Sequence, residues 1–181
     1  MVSFAEPERL SLVFDSAERE QWQRSSAILA HMALPPDAVV ADLGAGTGYF
    51  TQLLLEQLPE GQVHAIDSEP AMVDYLGRRF AGEGRVSVHQ SQPDDPCLPA
   101  GVSQLLVANV YRFIAARGPF LAQLHRQMAV GCRGLLVDLH SPQAAVSAEQ
   151  AAAEVTAAGF VVDELECRTC PHHYLLAFHR P

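Results

Sequence analysis

The stretch from Val39 to Thr51, VVADLGAGTGYFT, constrains the fold of this chain more than any other. Val39, Val40, Ala41 and Leu43, interrupted only by Asp42, form the continuous apolar run of a strand buried on both faces. Gly44, Ala45, Gly46, Thr47 and Gly48 then make an abrupt turn, and Phe50, Leu53, Leu54 and Leu58 return at helical spacing. A strand, a glycine-rich turn and a helix in that order open a Rossmann-like sheet, where missing side chains let a ligand approach the backbone and the helix N-terminus. A nucleoside-bearing cofactor is the natural occupant. The dinucleotide fingerprint G-x-G-x-x-G needs glycine at position 49, and Tyr49 stands there. The turn reads G-x-G-x-G, which disfavours a nicotinamide-dependent oxidoreductase.

DLGAGTGYFT resembles the first motif of the class I S-adenosylmethionine-dependent methyltransferases of small-molecule type, and the resemblance extends from about Asp37 to His179. It implies an α/β, Rossmann-like doubly wound sheet, mostly parallel with an antiparallel closing strand. It also implies S-adenosylmethionine as cofactor and methyl transfer to a small-molecule acceptor. Carried over position by position, the cofactor would meet Asp42, Gly44, Ala45, Gly46 and Gly48. Asp67 ends a second strand, Gln62 to Ile66, at close to the distance of about 20 residues from the glycine turn expected of a carboxylate that accepts from a ribose diol. Its alternative role is to cap the helix that follows through Ser68 and Met72, and Met72 either lines the adenine or fills the core. After strand three, Val86 to His89, family members usually carry Gly-Asp where this chain has Ser91-Gln92. Gln92 still accepts through its amide oxygen, and Asp94 and Asp95 are the alternative acceptors.

On the acceptor side, strand four, Val102 to Asn109, leads into Asn109-Val110-Tyr111-Arg112-Phe113-Ile114. This resembles a family motif in which two histidines often follow the tyrosine, and Arg112 and Phe113 occupy those places. Ligands of open parallel sheets sit beyond the carboxyl ends of the strands, which directs Asn109 and Tyr111 toward the reaction site. Tyr111 is then a positioning hydroxyl and His140, at the end of strand five (Leu135 to His140), the nearest imidazole. His140 has pocket and surface as its two readings; Arg112 points either into the pocket, favouring an anionic acceptor, or outward. A protein that binds S-adenosylmethionine without catalysis is the alternative these departures raise.

The remaining sequence bounds these expectations. With 181 residues the chain suits a single globular domain. Residues 1–36 are expected to form a helical segment covering the site, and 37–181 the S-adenosylmethionine-binding methyltransferase domain. A net charge of -9 argues against the basic surface that nucleic acid requires, and no long apolar span suggests a membrane. The expected protein is a cytoplasmic monomer or homodimer with a small-molecule partner. Met1 to Phe14 reads as short and mixed, and Asp15-Ser16-Ala17-Glu18 has the spacing of a capping box opening a helix to about Met32. Within it, R-E-Q-W-Q-R-S resembles a family segment in which proline follows where Ser25 stands. Trp22 either packs that helix on the sheet or reaches the pocket. Pro119 to Ala129 reads as a helix, Ser147 opens another that Gly159 stops, and two strands close the chain, Phe160 to Glu166 and Tyr174 to His179. Between them Cys167-Arg168-Thr169-Cys170-Pro171-His172-His173 has ligand types that suit zinc, but crowded into one turn; a surface turn with reduced thiols is the favoured reading, with no metal.

Overall fold

The computed structural model describes residues 4–181. Seven strands form one sheet: β1 Val39–Leu43, β2 Gln62–Asp67, β3 Val86–Gln90, β4 Gln104–Ala108, β5 Arg133–Leu139, β6 Val161–Cys170 and β7 His173–His179. The spatial order is β3-β2-β1-β4-β5-β7-β6. β1 to β5 are mutually parallel, while β7 lies antiparallel to both β5 and β6. This is the expected doubly wound sheet with its closing antiparallel strand. The direction of winding reverses between β1 and β4, and their carboxyl ends open a crevice there.

The helices are α1 Pro7–Phe14, α2 Arg19–Gln23, α3 Ser25–Met32, α4 Tyr49–Gln57, α5 Pro70–Arg79, α6 Arg117–Gln127 and α7 Ala148–Ala157. Two apolar clusters fill the two faces of the sheet. Ile28, Leu29, Phe50, Leu54 and Leu76 from α3, α4 and α5 cover one; Phe120, Leu124, Ala151 and Val155 from α6 and α7 cover the other. Among the described residues no helix is long and apolar enough to cross a membrane.

The N-terminal expectation needs correction. The single helix from Asp15 to Met32 is two helices, broken at Arg24, whose φ of 54° lies in the left-handed region. Asp15 does not open a helix but ends α1, and its carboxylate accepts from the Thr47 hydroxyl and from Arg79, which ties this segment to the glycine turn. The stretch read as mixed contains α1, started by Pro7 in the first turn, where a missing N–H costs nothing. At the other end, Ser147 caps α7 by accepting from the Gln150 N–H as expected, and Gly159 follows at φ 97°.

The Cys-x-x-Cys stretch is not a turn but the end of β6. Cys167 packs toward the α6/α7 cluster while Cys170 sits in the α3/α4/α5 cluster, so the two thiols are on opposite faces of the sheet. Both are free, and no group of three or more His, Cys, Asp or Glu side chains among the described residues could hold a metal ion. The chain reverses at Pro171-His172, and His173, which opens β7, is buried.

Candidate active site

The glycine turn is fixed by the strand beside it. The N–H groups of Gly44 and Ala45 both donate to the Ile66 carbonyl, at 2.7 and 3.0 Å, and the Gly46 N–H donates to Asp67 Oδ2 at 2.8 Å. The glycines serve different ends. A Cβ at Gly44 would lie 2.2 Å from Val110, and one at Gly48 2.6 Å from Phe80, so both are packing positions. At Gly46 the nearest atom is 3.9 Å away in Phe14, so the missing side chain leaves room on the crevice side.

That crevice is a cavity of about 480 Å³ at the carboxyl ends of β1, β2, β4 and β5, within the range of small-molecule and cofactor sites. Of the residues expected from the sequence, it brings together Asp42, Gly44, Ala45, Gly46, Asp67, Ser68 and Asn109. Met72 also reaches it, and so does Trp22, which therefore does more than pack a helix. Asp42 is almost wholly buried and accepts from the Thr51 hydroxyl at 2.7 Å; burial pushes its carboxyl up to about 6. Asp67, also raised by burial, accepts from the Gly46 and Glu69 N–H groups. The side chain that caps α5 is that of Glu69, not Asp67.

Four expected residues lie elsewhere. Gly48 begins α4 behind the turn, packed on Leu76 and Phe80. Gln92 is exposed and pairs through its backbone with Asp95, whose side chain is taken by Gln127 and the Cys97 N–H. His140 is exposed beyond β5. Tyr111 is 1% exposed on the opposite face of the sheet, where its hydroxyl donates to Glu154, itself paired with Arg117. The single 3-10 turn at Tyr111–Phe113 rotates Val110, Arg112 and Phe113 to the cavity and Tyr111 away from it.

The structure adds residues that the sequence reading had not placed. Arg19, 8% exposed, spends its Nε on Gln23 and one Nη on the Phe14 carbonyl, and it lies 4.1 Å from the centre of the Tyr49 ring. No carboxylate of a described residue comes within 4 Å of it, and burial lowers its guanidinium to about 10. Ser25, in the family's proline place, accepts from the Tyr49 hydroxyl at 3.1 Å and so pins α3 to the cavity wall. The far wall is Phe4, Trp22, Phe113, Leu139 and His173. Asn109, held at φ 62°, presents its Oδ1 to Arg112 at 3.3 Å and to His173 Nε2 at 3.0 Å. Asparagine tolerates that left-handed conformation better than most residues. Register explains His173: β7 places it opposite Leu139, at the same sheet end as Asn109.

A methyltransferase-domain family model matches residues 40–131. The chain therefore belongs to that family. It is 30% identical over 120 residues to trans-aconitate 2-methyltransferase of Acidovorax ebreus, covering 66% of this chain and 45% of that one. It is 28% identical over 121 residues to a malonyl-[acyl-carrier protein] O-methyltransferase of a Paenibacillus species, covering 64% and 44% respectively. The chain thus matches less than half the length of these relatives. Among solved structures, an S-adenosylmethionine-dependent methyltransferase from Aquifex aeolicus superposes over 100% of both chains with a TM-score of 0.87 at 20% identity, a likeness of fold.

Proposed function

We propose that this member of the methyltransferase-domain family binds S-adenosylmethionine in the crevice between β1 and β4 and transfers its methyl group to a small-molecule acceptor. The observation that carries this reading is the donor and acceptor set around one cavity. Gly46 leaves the backbone open, Asp67 keeps carboxylate lone pairs beyond the two amides it already accepts from, and Arg19 is a buried cation with no carboxylate partner among the described residues. These suit, in turn, close approach of a nucleoside, a ribose diol and an amino-acid carboxylate. Asp42 and Asn109 stand between them at the tips of β1 and β4.

Bound there, the cofactor supplies an electrophilic methyl group, so the chain needs no nucleophile of its own. Its residues hold the two reactants in line and exclude water. α1 and α2 deliver Phe14, Arg19 and Trp22 over the crevice, and Phe113 closes the acceptor side. Of the elements before β1, α1 and α2 act as the cover of the site while α3 joins the core, and the residues from β1 onward form the floor. Binding without transfer is the second reading, favoured by the placement of Tyr111 and His140 outside the cavity. Calorimetry tests the main reading: S-adenosylmethionine and S-adenosylhomocysteine bind, and NAD and NADP give no comparable heat. Tight nicotinamide binding without a response to S-adenosylhomocysteine reverses it. Release of labelled methyl product in an acceptor screen separates transfer from mere binding.

A further inference from the structure

The methyltransferase reading leaves the acceptor's chemistry open, and the cavity wall beyond the cofactor side narrows it. Among the described residues, the charged side chains that reach the cavity are Arg19, Asp42, Asp67 and Arg112. The first three stand at the cofactor side, so Arg112 is the cation an anionic acceptor would have to use. Its charge is already matched. One Nη pairs with the carboxylate of Asp138, which is 2% exposed and also accepts from the N–H groups of Arg112 at 3.0 Å and Leu139 at 2.7 Å. The guanidinium lies 4.4 Å from the centre of the Phe113 ring. Drawing Arg112 away toward a second carboxylate would leave Asp138 a buried anion without its counter-charge, which is strongly unfavourable. The rest of this wall is apolar: Phe4 meets Phe113 edge-on at 5.3 Å, with Val110, Leu139 and the Trp22 ring beside them.

Among the described residues, His173 leaves one ring nitrogen of this wall without a partner. Oδ1 of Asn109 accepts from both Arg112 and His173 Nε2, which puts the imidazole proton on Nε2 and leaves the lone pair on Nδ1. Nδ1 of His173 is buried with no hydrogen-bond partner among the described residues, a condition that native proteins rarely leave unexplained. Burial also holds this imidazole down to about 4, so it is neutral and able to accept. Trp22 stacks on the face of its ring at 5.9 Å and is 38% exposed, so a molecule that reaches Nδ1 would enter beside this ring pair and shift it.

We propose that the acceptor is an uncharged, flat, largely apolar molecule carrying a hydroxyl, seated against Phe4, Trp22 and Phe113, with that hydroxyl donating to Nδ1 of His173. This rests on the methyltransferase reading and gives it a substrate class.

The test uses matched probes on the full chain saturated with S-adenosylhomocysteine: methyl 4-hydroxybenzoate, 4-hydroxybenzoate and trans-aconitate. Trp22 is the sole tryptophan, so its indole N–H gives a single amide-type resonance, and the histidine side-chain nitrogens are assigned with His173→Gln. The neutral ester is expected to shift both the Trp22 indole and the His173 Nδ1 resonances and to bind at least about tenfold tighter than either carboxylate, because neither anion finds a free cation. Asp138→Asn, which releases Arg112 and nearly preserves shape, narrows or inverts that ratio. Carboxylates that bind as tightly as the ester overturn the proposal, as does an ester that leaves both resonances in place. If Asp138→Asn does not fold, the wild-type ratio still decides. Heat from S-adenosylhomocysteine alone reports on the methyltransferase reading separately, so the two can fail independently.

Discussion

Replacing Arg19 by methionine should remove a carboxylate-binding group while leaving the nucleoside site intact, and the structure sets the size of the effect. A guanidinium has five N–H donors, of which Arg19 gives one to Gln23 and one to the Phe14 carbonyl. Arg19 also lines the cavity, and burial lowers its guanidinium to about 10. A hydrogen bond between charged groups in such a setting contributes about 1.5 to 3 kcal/mol. Calorimetry with two ligands isolates it: S-adenosylhomocysteine and 5′-methylthioadenosine share the nucleoside and differ in the amino-acid tail. In Arg19→Met the affinity for S-adenosylhomocysteine should fall about ten- to a hundredfold, the equivalent of that energy, while 5′-methylthioadenosine binds nearly as before. Thermal stability should move little, because the bonds to Phe14 and Gln23 are lost together with the penalty of a lone buried cation. Equal weakening of both ligands would refute the reasoning, since it would mean that Arg19 only shapes the cover over the cavity. An unchanged S-adenosylhomocysteine affinity would refute it as directly.

Tyr111→Phe should lower the urea midpoint by the equivalent of about 1 to 2 kcal/mol, the loss of one bond to a carboxylate that Arg117 and Gln150 still hold, and should leave S-adenosylhomocysteine affinity unchanged. A drop in ligand affinity instead would return Tyr111 to the site. His173 makes stability depend on acidity: its folded value of about 4 lies below the ordinary 6.5, so between those values the unfolded chain takes up a proton that the folded one refuses. Relative to His173→Gln, the wild type should lose about 3 kcal/mol as pH falls from 7 to 4, with the difference between the two flat above pH 7. Parallel unfolding curves across that range would show that the imidazole is not held neutral.

The sheet and the glycine-turn side of the crevice were legible because local pattern and global fold agree there. The run Val39 to Leu43 is buried along β1, Asp67 ends β2 beside the turn, and each could be placed by counting from the glycines. The same counting misled at Gln92 because the chain after β3 turns outward through its pairing with Asp95, a tertiary choice that no periodicity announces. It misled at Tyr111 for a geometric reason. A strand end fixes where the backbone arrives, but one 3-10 turn decides which of Val110, Tyr111, Arg112 and Phe113 faces the cavity.

The far wall of the cavity shows most clearly why spacing along the chain is a poor guide to a site built from strand tips. His172 and His173 follow Cys170 so closely that the four ligand-type residues look like one cluster, yet β6 sends the two thiols to opposite faces of the sheet. The hairpin then sets His173 opposite Leu139, more than 60 residues along the chain from Asn109 yet 3.0 Å from its side chain. The family's histidines after Tyr111 are absent, and the residues in their place, Arg112 and Phe113, help to hold the imidazole that β7 supplies: Arg112 shares Asn109 with it, and Phe113 stacks beneath Arg112. Antiparallel closure of the sheet is what permits this. A seventh strand running parallel to β5 would have its amino end beside the amino end of β5 and would carry His173 away from the crevice.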